Sequence, residues 1–121
     1  MIVIGATLDF ADQASRDGAV ESSAPIQLAT REQEPGCEVY CFAADPCVPT
    51  RIQVYELWED EPSLAAHFVH PNYLAMRDML MANRPTGAWN RMYLVERSEP
   101  VYGAGNAVRS KFFVDDPTVS E

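Results

Sequence analysis

The sequence predicts an α+β domain, a ferredoxin-like four-stranded antiparallel sheet with its helices on one face. Three observations lead to it. Four short stretches alternate apolar and polar residues or are rich in β-branched ones, the mark of strands. Helical stretches separate the first strand from the second and the third from the fourth, so the order strand, helix, strand, strand, helix pair, strand reads as two βαβ halves. The 121 residues, 47% hydrophobic, suffice for one packed core and hold no internal repeat or Gly/Ser linker.

The elements follow in chain order. Ile2 to Phe10 is β-branched and short, and reads as a strand. Asp12 offers a cap for a helical stretch to about Glu34, in which Gly18 and Pro25 predict a break, with a second helix starting near Pro25. Pro35-Gly36 ends it. Cys37 to Ala44 sets Cys37, Val39 and Cys41 against Glu38, Tyr40 and Phe42, a strand pattern; Asp45 to Pro49 turns the chain, and Arg51 to Glu59 completes a hairpin. Asp60 caps a short helix that carries Pro62 in its first turn and runs to about Val69. His70-Pro71-Asn72 breaks that helix, Asn72 to Asn83 forms another, and Trp89 to Glu96 is the last strand. Residues 1–97 make the domain; the tail 98–121, with its apolar run Val108 to Val114, is expected to serve as a lid or as an arm to another subunit.

Ile52, Val54 and Trp58 point to one side of the third strand, Tyr55 and Leu57 to the other, so the sheet has two apolar faces and helices for only one. A second sheet packed against the uncovered face is the simplest remedy, which predicts a homodimer.

Charge narrows the partners. A net charge of −9 with scattered basic residues excludes nucleic acid and anionic membrane surfaces as partners. The apolar opening run Met1 to Leu8 has no basic leader and falls far short of the roughly 20 residues that span a bilayer, which predicts a soluble cytoplasmic protein. Cys37 and Cys41, four apart on a strand, would sit roughly 13 Å from each other, beyond disulfide reach. With Cys47 they read as reduced thiols in apolar surroundings, and the C-x3-C-x5-C spacing does not suit zinc, so no metal site is expected.

The chemistry-bearing residues gather at residues 52–77, which hold both histidines. On a helical wheel Leu64, Ala65, Phe68 and Val69 form an apolar arc, with His67 just past its edge, about 60° from Leu64, and His70 nearly opposite its centre. His67 is therefore expected half-buried between helix and sheet, and His70 wet or used to terminate the helix. Glu56 and Trp58 share a strand face. If that face meets the helices, burial raises the carboxyl's pKa unless a partner such as Arg91 compensates; otherwise Glu56 ends in a salt bridge at the sheet edge. Trp58 reads as a core aromatic or as a pocket wall.

The pattern Y-E-x-W-x8-H, here Tyr55-Glu56-Leu57-Trp58 through His67, followed four residues later by Pro71, resembles the antibiotic biosynthesis monooxygenase domain and the related quinol monooxygenases. Gly36-Cys37 before the second strand resembles it too, and the likeness spans roughly residues 1–97. The resemblance implies a dimeric α/β barrel and a pocket lined by Trp58 and His67. It implies a cofactor-independent oxidation with molecular oxygen as co-substrate and a small aromatic hydroxy compound, a quinol or anthrone, as substrate. His67 would be the catalytic base, Phe68 and Tyr73 would join Trp58 as aromatic walls beside Glu56, and Asn72 or Arg91 would hold the developing oxyanion. Asn72 stands where many members carry a histidine. The haem-degrading branch uses an asparagine in the first strand, and Ile2 to Phe10 has none, so haem is not expected. Two other readings stay open: a small-metabolite isomerase using His67 as acid/base, and a non-catalytic ligand-binding barrel.

Overall fold

A computed structural model describes residues 1–114; the end of the tail, 115–121, lies outside the described residues. The elements are β1 (Ile2–Asp9), α1 (Gln13–Gln33), β2 (Cys37–Ala44), β3 (Arg51–Trp58), α2 (Glu61–Phe68), α3 (Pro71–Ala82) and β4 (Gly87–Leu94), with a single 3-10 turn at Ala104–Asn106. The sheet is antiparallel throughout in the order β2-β3-β1-β4, as two interleaved βαβ halves require.

Three side chains open the helices. Asp12 accepts the Ser15 N–H at 2.7 Å for α1, Asp60 the Ser63 N–H at 2.9 Å for α2, and His70 the Asn72 N–H through Nδ1 at 3.0 Å for α3. His70 thus caps the helix that follows it.

The expected break at Pro25 is absent, and α1 runs unbroken across it. Pro25 and Glu21, whose carbonyl loses its i+4 donor there, are both exposed, so water replaces the missing bond. The buried stripe of α1 is polar: Arg16, Ala19, Ser23, Gln27 and Thr30 recur at three- and four-residue steps and lead to buried Glu34. Its polar members are all hydrogen-bonded, Arg16 Nη1 to the Arg51 carbonyl at 3.0 Å among others. The Ser23 and Thr30 hydroxyls donate to Val20 and Ile26 carbonyls at 2.8 and 2.9 Å. The Gln27 amide accepts the Phe42 N–H at 2.9 Å and donates to the Phe42 carbonyl at 3.1 Å. With Arg31 Nε donating to the Tyr40 carbonyl at 2.7 Å, this closes the outer edge of β2 against further strands.

A second correction concerns α2. It buries Leu64 and His67, while Ala65, Phe68 and Val69 are exposed, so the buried arc is rotated away from the wheel's apolar one. The rotation follows from a polar anchor. Glu34, at the end of α1, binds His67 and draws the histidine inward.

In register, Ile4, Glu56, Tyr40 and Met92 point to the helix side, whereas Gly5, Tyr55 and Arg91 share the opposite face. The core lies between helices and sheet, around Ile2, Phe10, Tyr40, Ile52, Trp58, Leu64 and Met76. No helix among the described residues packs extensively on β4, and on the far face Tyr55, Trp89 and Tyr93 are about half exposed. No helix among the described residues is long and apolar enough to cross a membrane.

Candidate active site

The site begins at a tight corner. Gly36 takes φ +83°, a conformation that favours glycine, and a Cβ there would overlap the Ser63 side chain at the start of α2. The Glu59 N–H donates to the Gly36 carbonyl at 2.8 Å. The corner therefore locks the end of α1 to the start of α2 and sets Glu34 beside His67.

Glu34 is buried and uses both oxygens. Oε1 lies 2.7 Å from His67 Nδ1, and Oε2 accepts the Asn72 amide at 3.2 Å. His70 Nδ1 stands 3.8 Å from Oε2 and accepts the Asn72 N–H. A carboxylate only accepts, so His67 carries its proton on Nδ1 and leaves a lone pair on Nε2. Nε2 has no partner among the described residues, and no buried side-chain nitrogen or oxygen there is left unpartnered. It is therefore not sealed, and it meets the small cavity that His67 lines.

Aromatic rings fix the imidazole in place. The Trp58 ring lies 4.5 Å from it between centroids, Tyr40 and Tyr73 approach edge-on at 5.4 Å, and Phe68 stands at 5.8 Å. Burial pulls the pKa of His67 below its ordinary value, against the hydrogen bond and charge of Glu34, while the neighbouring His70 lowers it further. The imidazole is neutral near pH 7, the state a general base needs.

Two cavities adjoin here. The inner one, about 140 Å³, is lined by Tyr40, His67, Met76 and Arg77; the outer, about 360 Å³, lies under β4 against Ile4, Leu8, Asn90 and Met92. Phe42, Glu56, Phe68, Tyr73 and Leu80 line both, so the two lie side by side across shared side chains as the inner and outer parts of the hollow. Its outer part falls in the range of ordinary small-molecule sites, roughly 300–1,000 Å³.

Glu56 sits where the cavities meet. Its Oε1 accepts the Trp58 indole N–H at 3.0 Å, and its pKa is pushed up to about 7 by burial, with the Trp58 hydrogen bond opposing and the Glu34 charge adding to the rise. Cys37 is held protonated, its pKa raised to about 11 by burial and by the charges of Glu34 and Glu56. All three cysteines are free; Cys37 and Cys41 are half-buried, but Cys47 is exposed rather than in apolar surroundings.

The remaining expected site residues separate. Phe68 and Tyr73 line both cavities. Trp58 is fully buried behind His67 and borders neither. The Asn72 side chain lies on Glu34 and, at 3.5 Å, on Gln33. Arg91 borders the outer cavity, but its guanidinium stacks over Trp89, and its register sends the side chain to the other face, so it does not neutralise Glu56. Sequence reasoning missed Glu34, Tyr40 and Asn90. Only Asn90 carried a usable signal, a polar residue in step with Ala88 and Met92 on the helix side of β4. Among the described residues no group of three His, Cys, Asp or Glu could hold a metal ion.

Residues 1–79 match the family model of the antibiotic biosynthesis monooxygenases. The chain belongs to the antibiotic biosynthesis monooxygenase family. Solved structures share the family's fold. One is a candidate antibiotic biosynthesis monooxygenase of Deinococcus radiodurans: TM-score 0.74, 22% identity, 85% of this chain and 100% of that one covered. Another is a Streptomyces coelicolor monooxygenase solved with the ligand nanaomycin D, at TM-score 0.66 and 20% identity, covering 82% and 90% of the two chains. A third is SnoaB of Streptomyces nogalater, described as a cofactor-independent oxygenase, at TM-score 0.61 and 11% identity, covering 82% and 96%. No curated protein matches the sequence.

Proposed function

We propose that this protein is a cofactor-independent monooxygenase of a small aromatic hydroxy compound, of quinol or anthrone type, with His67 as its base. The observation that carries the reading is the buried Glu34–His67 pair, which leaves Nε2 unprotonated at the wall of an apolar hollow. The ligand and description of two family relatives support the same chemistry.

His67 Nε2 takes the acidic proton, from the hydroxyl of a quinol or from the ring methylene of an anthrone, and the resulting phenolate or enolate is electron-rich enough to give one electron to molecular oxygen. The radical pair recombines to a peroxide at the ring carbon. That peroxide breaks its O–O bond as the carbon's hydrogen leaves, one oxygen staying on carbon as a carbonyl and the other departing as water once the proton held by His67 is returned to it. Substrate plus oxygen becomes quinone plus water, and no outside reductant is needed. Glu34 acts as a positioning residue that fixes the tautomer, Asn72 holds Glu34, and Trp58 supports the imidazole from behind. Phe68 and Tyr73 wall the substrate.

The reading includes a homodimer, in which a second sheet covers the far face bearing Tyr55, Trp89 and Tyr93. The tail suits an arm laid on that second subunit, since Val101, Val108 and Phe112 are exposed. A cytoplasmic location fits a protein with three free thiols.

Oxygen uptake by the purified protein with anthrone or menadiol, corrected for autoxidation, tests the proposal. We expect catalysed uptake and one labelled atom from isotopic oxygen in the product. Turnover of a metabolite without oxygen consumption would favour the isomerase reading. Absence of turnover with every phenol tried would leave a binding barrel.

A further inference from the structure

The hollow holds a second proton-bearing group opposite the base, and the mechanism above leaves it unused. We propose that Glu56 recognises the substrate by donating a hydrogen bond from its carboxyl O–H to a carbonyl or phenolic oxygen, so that the site selects neutral oxygenated aromatics. The inference rests on reading the hollow as the substrate site.

Geometry supplies the argument. Glu56 is buried in mid-sheet, paired with Ile4 on one side and Tyr40 on the other, and it borders both parts of the hollow. Its Oε1 is occupied by the Trp58 N–H, whereas Oε2 has no partner among the described residues. Since no buried side-chain oxygen there is left unpartnered, Oε2 opens on the cavity. A lone carboxylate in that place would need a cation. The titratable and charged groups around it are Glu34 from the end of α1, Cys37 and Tyr40 from β2, His67 from α2, and Tyr73 and Arg77 from α3, with Arg91 of β4 bordering the outer cavity, while β1 presents only Ile2, Ile4, Ala6 and Leu8. Glu34 is itself acidic, and His67 is neutral and engaged by Glu34. Arg77 is exposed and lies 3.9 Å from Asp78, and Arg91 is turned over Trp89. Among the described residues no cation pairs with Glu56. A carboxyl without one keeps its proton, in agreement with a pKa near 7, and a protonated carboxyl is a donor.

The roles of the two groups then differ in sign. His67 accepts a proton from the substrate, and Glu56 offers one to an oxygen of it, which stabilises the enolate or phenolate as it forms. A carboxylated or phosphorylated substrate would meet Glu56 and Glu34 with no buried cation to pair with.

Fluorenone and fluorene, a neutral ketone and its deoxygenated counterpart, are the probes. Their affinities are measured from about pH 5.5 to about 8.5, a range that brackets the carboxyl's raised pKa. We expect fluorenone to bind about tenfold more weakly at the alkaline end, the loss of one hydrogen bond, and fluorene to bind equally at both ends. Glu56→Gln keeps an amide donor and should hold fluorenone independently of pH. A control independent of ligand is the Trp58 indole N–H resonance. It should titrate near neutrality in the wild type and stay flat in Glu56→Gln, which also shows that the variant is folded. Fluorenone affinity that ignores pH, or a Trp58 resonance that does not move, overturns the proposal. The oxygenase reading fails separately: pH-dependent ketone binding without oxygen uptake removes that reading and leaves Glu56 a donor, and oxygen uptake with pH-independent binding does the reverse.

Discussion

Replacing Glu56 by glutamine should stabilise the protein in a pH-dependent way. In the unfolded chain this carboxyl titrates near 4.5, and in the fold near 7. Below 4.5 both states are protonated and the group costs nothing; as pH rises toward 7 the unfolded state ionises while the folded state resists, so stability falls; above 7 the loss is complete. The rise from 4.5 to about 7, at 1.36 kcal/mol per pH unit, gives about 3 kcal/mol. Glutamine removes the titration and still offers an oxygen to the Trp58 N–H. Urea unfolding of wild type and Glu56→Gln at a series of pH values is the assay, since every other titrating group cancels in the difference. The variant should gain on the wild type by about 3 kcal/mol between acid and neutral pH and no further above it. A difference independent of pH would show that the carboxyl is paired and solvated like any surface glutamate, and would refute the reasoning.

Other outcomes follow from the same contacts. The Glu34→Gln variant loses the carboxylate that orders His67, and oxygen-uptake kcat should fall by about 10–100-fold with KM less affected, as for other partners that orient a histidine. His67 has the opposite linkage to Glu56. Its folded pKa lies below 6.5, so wild type should lose stability relative to His67→Gln as pH falls below 6.5, measurable in the same unfolding series. Gly36→Ala places a Cβ against Ser63 at positive φ and should cost at least about 2 kcal/mol by urea unfolding. Gln27→Ala strips both bonds from Phe42 at the edge of β2; a loss of about 1–3 kcal/mol is expected, with a greater tendency to aggregate on heating, seen by light scattering.

The strands were legible because each alternates or is rich in β-branched residues, and the turns between them carry Pro35-Gly36 and Asp45-Pro46. Their order with the helical stretches between them then pointed to two βαβ halves. The helices were less legible, for one physical reason. Wheel and propensity arguments weigh apolar residues, and here polar partners decide what is buried. The face of α1 that meets the sheet is Arg16, Ser23, Gln27 and Thr30; Ser23 and Thr30 bond back to their own helix, while Arg16 and Gln27 reach the Arg51 and Phe42 carbonyls, distant in the chain, which no local pattern announces. Likewise α2 turns His67 inward because Glu34 waits there, 33 residues back in the chain, and leaves Phe68 and Val69 outside. At the site, His67 and Glu56 stood out through the spacing shared with a family. Glu34 did not, since a glutamate before Pro35-Gly36 looks like any solvated helix end until the corner at Gly36 folds it under α2.

The central claim is that the His67 lone pair takes the acidic proton of the substrate, a quinol hydroxyl or an anthrone ring methylene, and so admits oxygen to the ring. Oxygen-uptake rates of wild type and His67→Ala with anthrone, matched for folding by their unfolding curves, test it most directly. The account predicts a loss of about 100-fold or more in kcat for the variant. A variant that consumes oxygen as fast as the wild type would contradict it.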